Sequence, residues 1–287
     1  MNAATAARPL PLPIIDHVVV SVRERMVEAA DAYARLGFAL TPQGRHTLGS
    51  INHLAMFGTD YLELLGVPPG GSARADAIAG PEGLSAIAFA TEDAAAVQAA
   101  LTAADAPVLP VLDFSRPVAL PDGAQEASFR VLRIAPEASP AGRLFFCQHR
   151  TRGLVWRDDW RRHPNGVLGI AGVVIAAARP DAYARLFRAM FGAAVVVEVA
   201  AGVRLLAGLA SIDVLTPAAV ARRYGEAAPA IGGREAVMAA LVLRTADVAR
   251  AAAAIGGAGE QVAADRVLVP AAAAMGVPLE FRGPDSL

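Results

Sequence analysis

Short β-branched runs alternate with alanine-rich amphipathic stretches along this chain, and the alternation recurs four times. Residues 14–20 (Ile-Ile-Asp-His-Val-Val-Val) predict a strand, because β-branched side chains suit the pleated backbone. A helix is predicted over 25–36, closed by Gly37 in the C-cap position. Two further strands are predicted over 50–57 and 61–67, divided by the turn signal Gly58-Thr59-Asp60. With a short strand before them, the unit reads β-α-β-β-β. The second unit runs from a strand over 84–89, through a helix over 93–104, to a strand over 144–149, and its middle, 108–140, is long and proline-rich. The third has a strand over 169–175, a helix over 181–191 and a last strand over 211–215. The fourth has a strand over 236–243, a helix over 247–255 and a last strand over 278–281.

Pairing units one with two and three with four predicts an α+β fold of two domains, residues 14–150 and 167–287, after a frayed tail over 1–13. A length of 287 residues accommodates two cores of ordinary size. Between the domains, the linker over 151–166 holds both tryptophans, Trp156 and Trp160, among Arg152, Arg157, Arg161 and Arg162. It could form a cationic, aromatic wall for an anionic substrate. The favoured alternative is a strap whose tryptophans, four residues apart, pin the two domains together.

Composition removes several classes of function. All 26 basic residues are arginine, so neither Schiff-base chemistry nor a phosphate-binding lysine is available, and no nucleotide cofactor is expected. A net charge of −1 without a basic run excludes nucleic acid as a partner. The single Cys147 rules out an internal disulfide and any Cys-x-x-Cys motif, which suits a reducing compartment. Uncharged runs such as 164–178 fall short of the about 20 residues that cross a bilayer, so no membrane association is expected. The N-terminus lacks a charged segment followed by an apolar one, which argues against a secretory signal and for the cytoplasm. The abundance of alanine suggests a GC-rich bacterial genome.

Candidate chemistry concentrates in the first domain and linker, which hold all five histidines: His17, His46, His53, His149 and His163. Glu63 lies within the apolar run Tyr61-Leu62-Glu63-Leu64-Leu65, where a buried charge requires a partner such as a divalent metal, unless it faces solvent. His17 is either a ligand paired with Glu63 or a satisfied core histidine. His46 and Asn52 come from a glycine-punctuated loop entering a strand, a usual place for functional side chains. Asn52 and His53 have opposite strand parity, so at most one of them faces a shared cavity. Cys147 is expected to be a small core residue, while His149 or Gln148 could complete a ligand set from the second unit.

The segments Ile15-Asp16-His17-Val18-Val19-Val20, Leu36-Gly37-Phe38, Gly44-Arg45-His46, Gly49-Ser50-Ile51-Asn52, Tyr61-Leu62-Glu63-Leu64 and Phe145-Phe146-Cys147-Gln148-His149 together resemble the bacterial glyoxalase-like domain proteins of the vicinal-oxygen-chelate superfamily. The resemblance covers about residues 14–150 and extends further only through unit repetition. It implies paired βαβββ modules whose mixed sheets curve into half-barrels around a ligand site, with pairing inside one chain or between the chains of a homodimer. It also implies a divalent metal, such as Zn, Ni, Mn or Fe, held by a first-strand histidine and a last-strand glutamate, here His17 and Glu63. Ala86 stands where the second module's histidine is expected, so His149, or else His46, is needed as a third ligand. The second domain has Asp213 and Glu280 at the carboxylate positions but no first-strand histidine, which argues for a scaffold and against a ring-cleaving extradiol dioxygenase.

Two functions follow. One is a metal-assisted lyase or isomerase acting on a small oxygenated metabolite, with His17, Glu63 and His149 as ligands, Glu63 and His46 as catalytic groups, and Asn52, Tyr61 and Trp156 contacting substrate. The alternative is a metal-free protein that binds or sequesters a small molecule, as bleomycin-resistance proteins do, in a cavity lined by Phe57, Tyr61, Phe145 and Trp156.

Overall fold

The computed structural model describes residues 9–71, 80–120 and 123–283. Most of the expected 1–13 tail lies outside them. The first module comprises β1 (Ile15–Arg23), α1 (Met26–Arg35), β2 (Gly44–Arg45), β3 (Ile51–Met56) and β4 (Tyr61–Gly66). The second comprises β5 (Gly83–Ala90), α2 (Ala94–Ala103), β6 (Leu112–Leu120), β7 (Gly123–Arg133) and β8 (Arg143–His149). These strands form one eight-stranded sheet in the order β2-β3-β4-β1-β5-β8-β7-β6. The second half repeats the plan with β9 (Val167–Ala177), α3 (Pro180–Phe191), β10 (Val196–Val199), β11 (Gly202–Ala207), β12 (Ala210–Leu215), α4 (Pro217–Tyr224), β13 (Ala236–Thr245), α5 (Val248–Ile255), β14 (Glu260–Ala263), β15 (Arg266–Val269) and β16 (Leu279–Arg282). Its sheet runs β10-β11-β12-β9-β13-β16-β15-β14. The fold is therefore α+β, built from four βαβββ modules.

Local chemistry accounts for the helix ends. Asp93 accepts hydrogen bonds from the amides of Ala95 and Ala96 at the start of α2, and Asp247 does the same for Ala249 and Arg250 in α5. Gly37 ends α1 at φ +80°, a conformation that disfavours any residue with a Cβ, and it packs against Asn165 of the linker. The proline-rich middle of module two is not a loop. It is the hairpin β6–β7, in which Leu112 to Leu120 pair with Val131 to Gly123. Pro117 is tolerated there because β6 is the edge of its sheet and owes no amide to a further strand.

The helix-bearing faces of the two sheets share a single apolar core. α1 reaches into the fourth module, where the Tyr33 hydroxyl donates to the Ala274 carbonyl (3.3 Å) and Phe38 meets Phe281 (6.0 Å between ring centroids). α3 reaches into the second, where Phe191 stacks edge-on against Phe89 (4.9 Å). Each such aromatic contributes about 1.5–3 kcal/mol by leaving water.

The linker holds the halves together through its last residues rather than its tryptophans. His163 accepts from the Ala39 amide (3.0 Å) and donates to the Met56 carbonyl (2.7 Å), while Asn165 donates to the Leu36 carbonyl (2.9 Å). Arg250, from α5, donates to the carbonyls of Pro164 and His163. Trp156 and Trp160 pack instead on the first sheet's concave-side cluster.

The two concave faces have different fates. The edges of the first sheet meet where the Thr47 amide donates to the Ser115 carbonyl (2.9 Å), so the sheet curls almost into a barrel around an open interior. In the second, α4 lies across the concave face, and Val220 and Tyr224 pack on Val174, Ala176, Val237 and Ala239. No helix among the described residues is long and apolar enough to cross a membrane.

Candidate metal and ligand site

The interior of the first sheet is a cavity of about 500 Å³. Its polar residues include His17, His46, Asn52, Tyr61, Glu63 and Arg116, and the rest is mainly leucine, valine and phenylalanine, with Arg133 and Arg143 also among the lining residues. Strand alternation selects these side chains. Leu62 and Leu64 enter the core while Tyr61, Glu63 and Leu65 face the cavity. Asn52 likewise faces inward, whereas His53 points the other way and its Nδ1 meets the Thr41 carbonyl (2.7 Å).

A register shift between Ile15 and His17 breaks the alternation in β1 and brings Asp16 beside His17. Asp16 Oδ2 lies 2.7 Å from His17 Nδ1 and 3.0 Å from His149 Nε2. Burial alone would raise the Asp16 pKa, but His149 and His17 outweigh it and hold the carboxyl well below the usual range. With Nδ1 engaged by Asp16, the opposite nitrogen of His17, Nε2, faces the Glu63 carboxylate with Oε2 at 3.8 Å. His17 is also stacked on Tyr61 at 4.4 Å.

Glu63 is engaged from both sides. Asn52 Nδ2 donates to Oε1 (2.6 Å), and His46 Nε2 approaches the same oxygen (3.9 Å). His46 Nδ1 rests 2.8 Å from Ser50 Oγ, and Nε2 lies 3.3 Å from Asn52 Nδ2. Desolvation pushes the Glu63 pKa up, yet His46, His17 and the Asn52 hydrogen bond overcome it, so Glu63 is held ionised with its pKa lowered.

Of the residues singled out in the sequence, His17, His46, Asn52, Tyr61 and Glu63 converge on this cavity. His149 stands on the far side of Asp16 and is not among the cavity-lining residues, so the expected trio of His17, Glu63 and His149 is divided by the Asp16 carboxylate. Trp156 does not line the cavity either. It backs Tyr61 (5.4 Å) and His149 (4.8 Å) and carries the Arg152 guanidinium on its face (3.5 Å). Phe57 belongs to the inter-sheet core, whereas Phe145 does line the cavity.

Asp16, His17, Cys147 and His149 form a second constellation, with one ligand atom from each within 4.8 Å of the others. Burial first, and then the neighbouring Asp16 and Glu63, drive the Cys147 pKa well up, which favours the neutral thiol. Reasoning from sequence missed Asp16 and Arg116. Arg116 was detectable as the charged member of an alternating row, Leu112, Phe114, Arg116, Val118 and Leu120.

The second domain's carboxylates are neutralised from within. Arg204 grips Asp213 through two hydrogen bonds (2.6 and 2.9 Å), and Arg223 bridges Asp213 and Glu280 (3.3 Å to each). Arg266, Arg282 and the Tyr224 hydroxyl complete the surroundings of Glu280. Both carboxylates are thus engaged by arginines, on a sheet whose concave face α4 covers.

Paired βαβββ modules curled around a cavity with a first-strand histidine and a last-strand glutamate define the vicinal-oxygen-chelate class. A glyoxalase-like domain family model matches residues 15–191, more than half of the chain, and the chain belongs to that family. No curated protein matches it. Among solved structures, it resembles a hypothetical protein from Staphylococcus aureus (TM-score 0.66, 14% identity, covering 94% of this chain and 98% of that one). It also resembles a fusion of a xylose isomerase-like TIM barrel with 4-hydroxyphenylpyruvate dioxygenase (0.62, 15%, covering 99% of this chain and 51% of the fusion). A third is a 4-hydroxymandelate synthase variant from Streptomyces coelicolor (0.58, 10%, covering 96% and 93%). At these identities the likeness is one of fold.

Proposed function

We propose that the chain is a metal-assisted enzyme of lyase or isomerase type whose substrate, a small oxygenated metabolite, enters the first-domain cavity. The observation that carries this reading is the approach of His17 Nε2 to Glu63 Oε2 at 3.8 Å, with His17 Nδ1 engaged by Asp16. With Nδ1 held by Asp16, His17 Nε2 and Glu63 Oε2 face each other beyond hydrogen-bonding distance, a spacing at which both can serve one cation as ligands. A histidine backed by a carboxylate is also the usual outer arrangement of a metal ligand, fixing the ring's tautomer and orientation. Asp16 fills that role, and His17 and Glu63 would hold the ion. A divalent Zn, Ni, Mn or Fe ion bound there supplies Lewis acidity and a template for neighbouring substrate oxygens.

The remaining residues have roles that follow from their positions. His46, on the other oxygen of Glu63, can carry a proton to or from substrate in the cavity. Asn52 fixes the Glu63 carboxylate and offers its amide to a substrate oxygen. Tyr61 packs His17 in place. The largely apolar walls keep competing water away from the reacting atoms.

Elemental analysis of the purified chain, native and after loading with each ion, tests this reading. Metal near one per chain that is lost in Glu63→Gln and kept in Cys147→Ser supports it. Loss in Cys147→Ser with retention in Glu63→Gln would move the ion to the Asp16, His17, Cys147 and His149 cluster and away from this chemistry. No metal under any condition would leave a binding protein.

A further inference from the structure

Arg116 is a buried cavity-lining charge that the metal reading leaves unused, whereas Arg133 and Arg143, which also line the cavity, are not buried. It sits in β6 opposite Ala127, in a row whose neighbours on the same face are Phe114 and Val118, and it is 4% exposed. Among the described residues it makes no hydrogen bond and no ion pair. Its electrostatic neighbours are Tyr61 and Glu63, which influence it without contact. A guanidinium stays charged even when buried, and a buried charge without a partner is costly. Buried or half-buried arginines of the second domain show the ordinary solution, because Arg204 and Arg223 hold Asp213 or Glu280. Glu63 is available to Arg116 but is taken by Asn52, His17 and His46 instead.

The surroundings keep the guanidinium open to the cavity. Gly44 lies across from it, and a Cβ there would come within 2.7 Å of its Nη1. The remainder of the cavity, with Leu48, Leu54, Leu65, Phe114 and Phe129, is mainly apolar apart from Arg133 and Arg143, and it is large enough for a drug-sized molecule.

We infer that Arg116 is the anchor for a carboxylate, and that the cavity takes an organic acid with its head group beside Glu63 and an apolar body along the leucine and phenylalanine walls. The fork of a guanidinium matches the two oxygens of a carboxylate, and the ligand thereby brings the partner that the protein withholds. This inference refines the proposed function by naming a substrate class, but it depends on Arg116 and not on the metal.

The test compares 4-phenylbutyrate with the isosteric neutral 4-phenylbutanamide by calorimetry, on full-length chain treated with chelator and again after metal loading. The acid is expected to bind about tenfold or more tightly than the amide, as a buried charge-assisted hydrogen-bonded pair would require. In Arg116→Met the preference disappears. The same variant, without ligand, is expected to melt at an unchanged or higher temperature, since an unpaired buried charge has been replaced by an apolar side chain of similar length. A structural arginine would give the reverse, a lower melting temperature. Equal affinities in the wild type, a preference that survives in Arg116→Met, or a clear fall in that variant's melting temperature each overturn the inference. If neither probe binds, the melting comparison decides. Acid preference without metal would sink the enzyme reading alone, and metal without acid preference would sink this one alone.

Discussion

Asp16 and His17, adjacent in sequence, are hydrogen-bonded to each other through their side chains at 2.7 Å, although neighbours in a regular strand point to opposite faces. The register shift in β1 makes this contact, and with it the orientation of His17 toward Glu63. Asp16→Asn would leave the imidazole without its acceptor carboxylate. Metal affinity is expected to fall about 10–100-fold, measured by competition with a chromogenic chelator. An unchanged affinity would mean that Asp16 does not orient a ligand.

Gly44 permits the polar residues of the cavity to assemble. A Cβ there would lie 2.4 Å from Asn52 Oδ1 and 2.7 Å from Arg116 Nη1. Gly44→Ala is therefore expected to displace Asn52 from Glu63 and to destabilise the fold by about 1–3 kcal/mol, as overpacking does. Urea unfolding measures the cost, and a variant as stable as wild type would show that β2 can yield.

Asp60 gives a pH dependence of known sign. Buried in the β3–β4 turn, its Oδ1 accepts from the Ile170 amide (2.9 Å). Burial raises its pKa to about 7, despite opposition from that hydrogen bond and Arg244. Between about pH 4 and pH 7 the unfolded chain has released a proton that the folded chain retains, so stability falls as pH rises across this window. The contribution amounts to about 4 kcal/mol by linkage. Asp60→Asn should flatten the difference, seen by comparing urea midpoints of the two proteins at pH 4.5 and 7.5. Parallel pH profiles would refute it.

The second domain's charges should matter to stability and not to the site. Glu280→Gln leaves Arg223, Arg266 and Arg282 facing a neutral group, and removing one partner from buried ion pairs costs about 3–5 kcal/mol. Metal content per folded chain should not change. Lost metal with intact folding would show that this half communicates with the first.

The four modules were legible in the chain because their signals are local. β-branched runs, alanine-rich helical stretches, the Gly37 helix stop and the Gly58-Thr59-Asp60 turn each act over a few residues. Period-two alternation likewise separated Asn52 from His53 and placed Glu63 in an apolar strand. The hairpin of module two was hidden by its prolines, which a central strand forbids and an edge strand accepts, and edge position is a property of the assembled sheet.

What the tertiary structure alone decided concerns partners distant in sequence. His149 meets Asp16 across 133 residues, and that contact, rather than strand parity, draws it away from Glu63. Arg116 lacks a partner only because the carboxylate it faces is already engaged by Asn52, His17 and His46, and no pattern within β6 could disclose that. The filling of the second sheet's concave face depends on where α4 comes to rest. Periodicity fixes which way a side chain points, because backbone geometry is local. Whether a charge is satisfied, and whether a concave face is filled, depends on chain segments that meet only after folding.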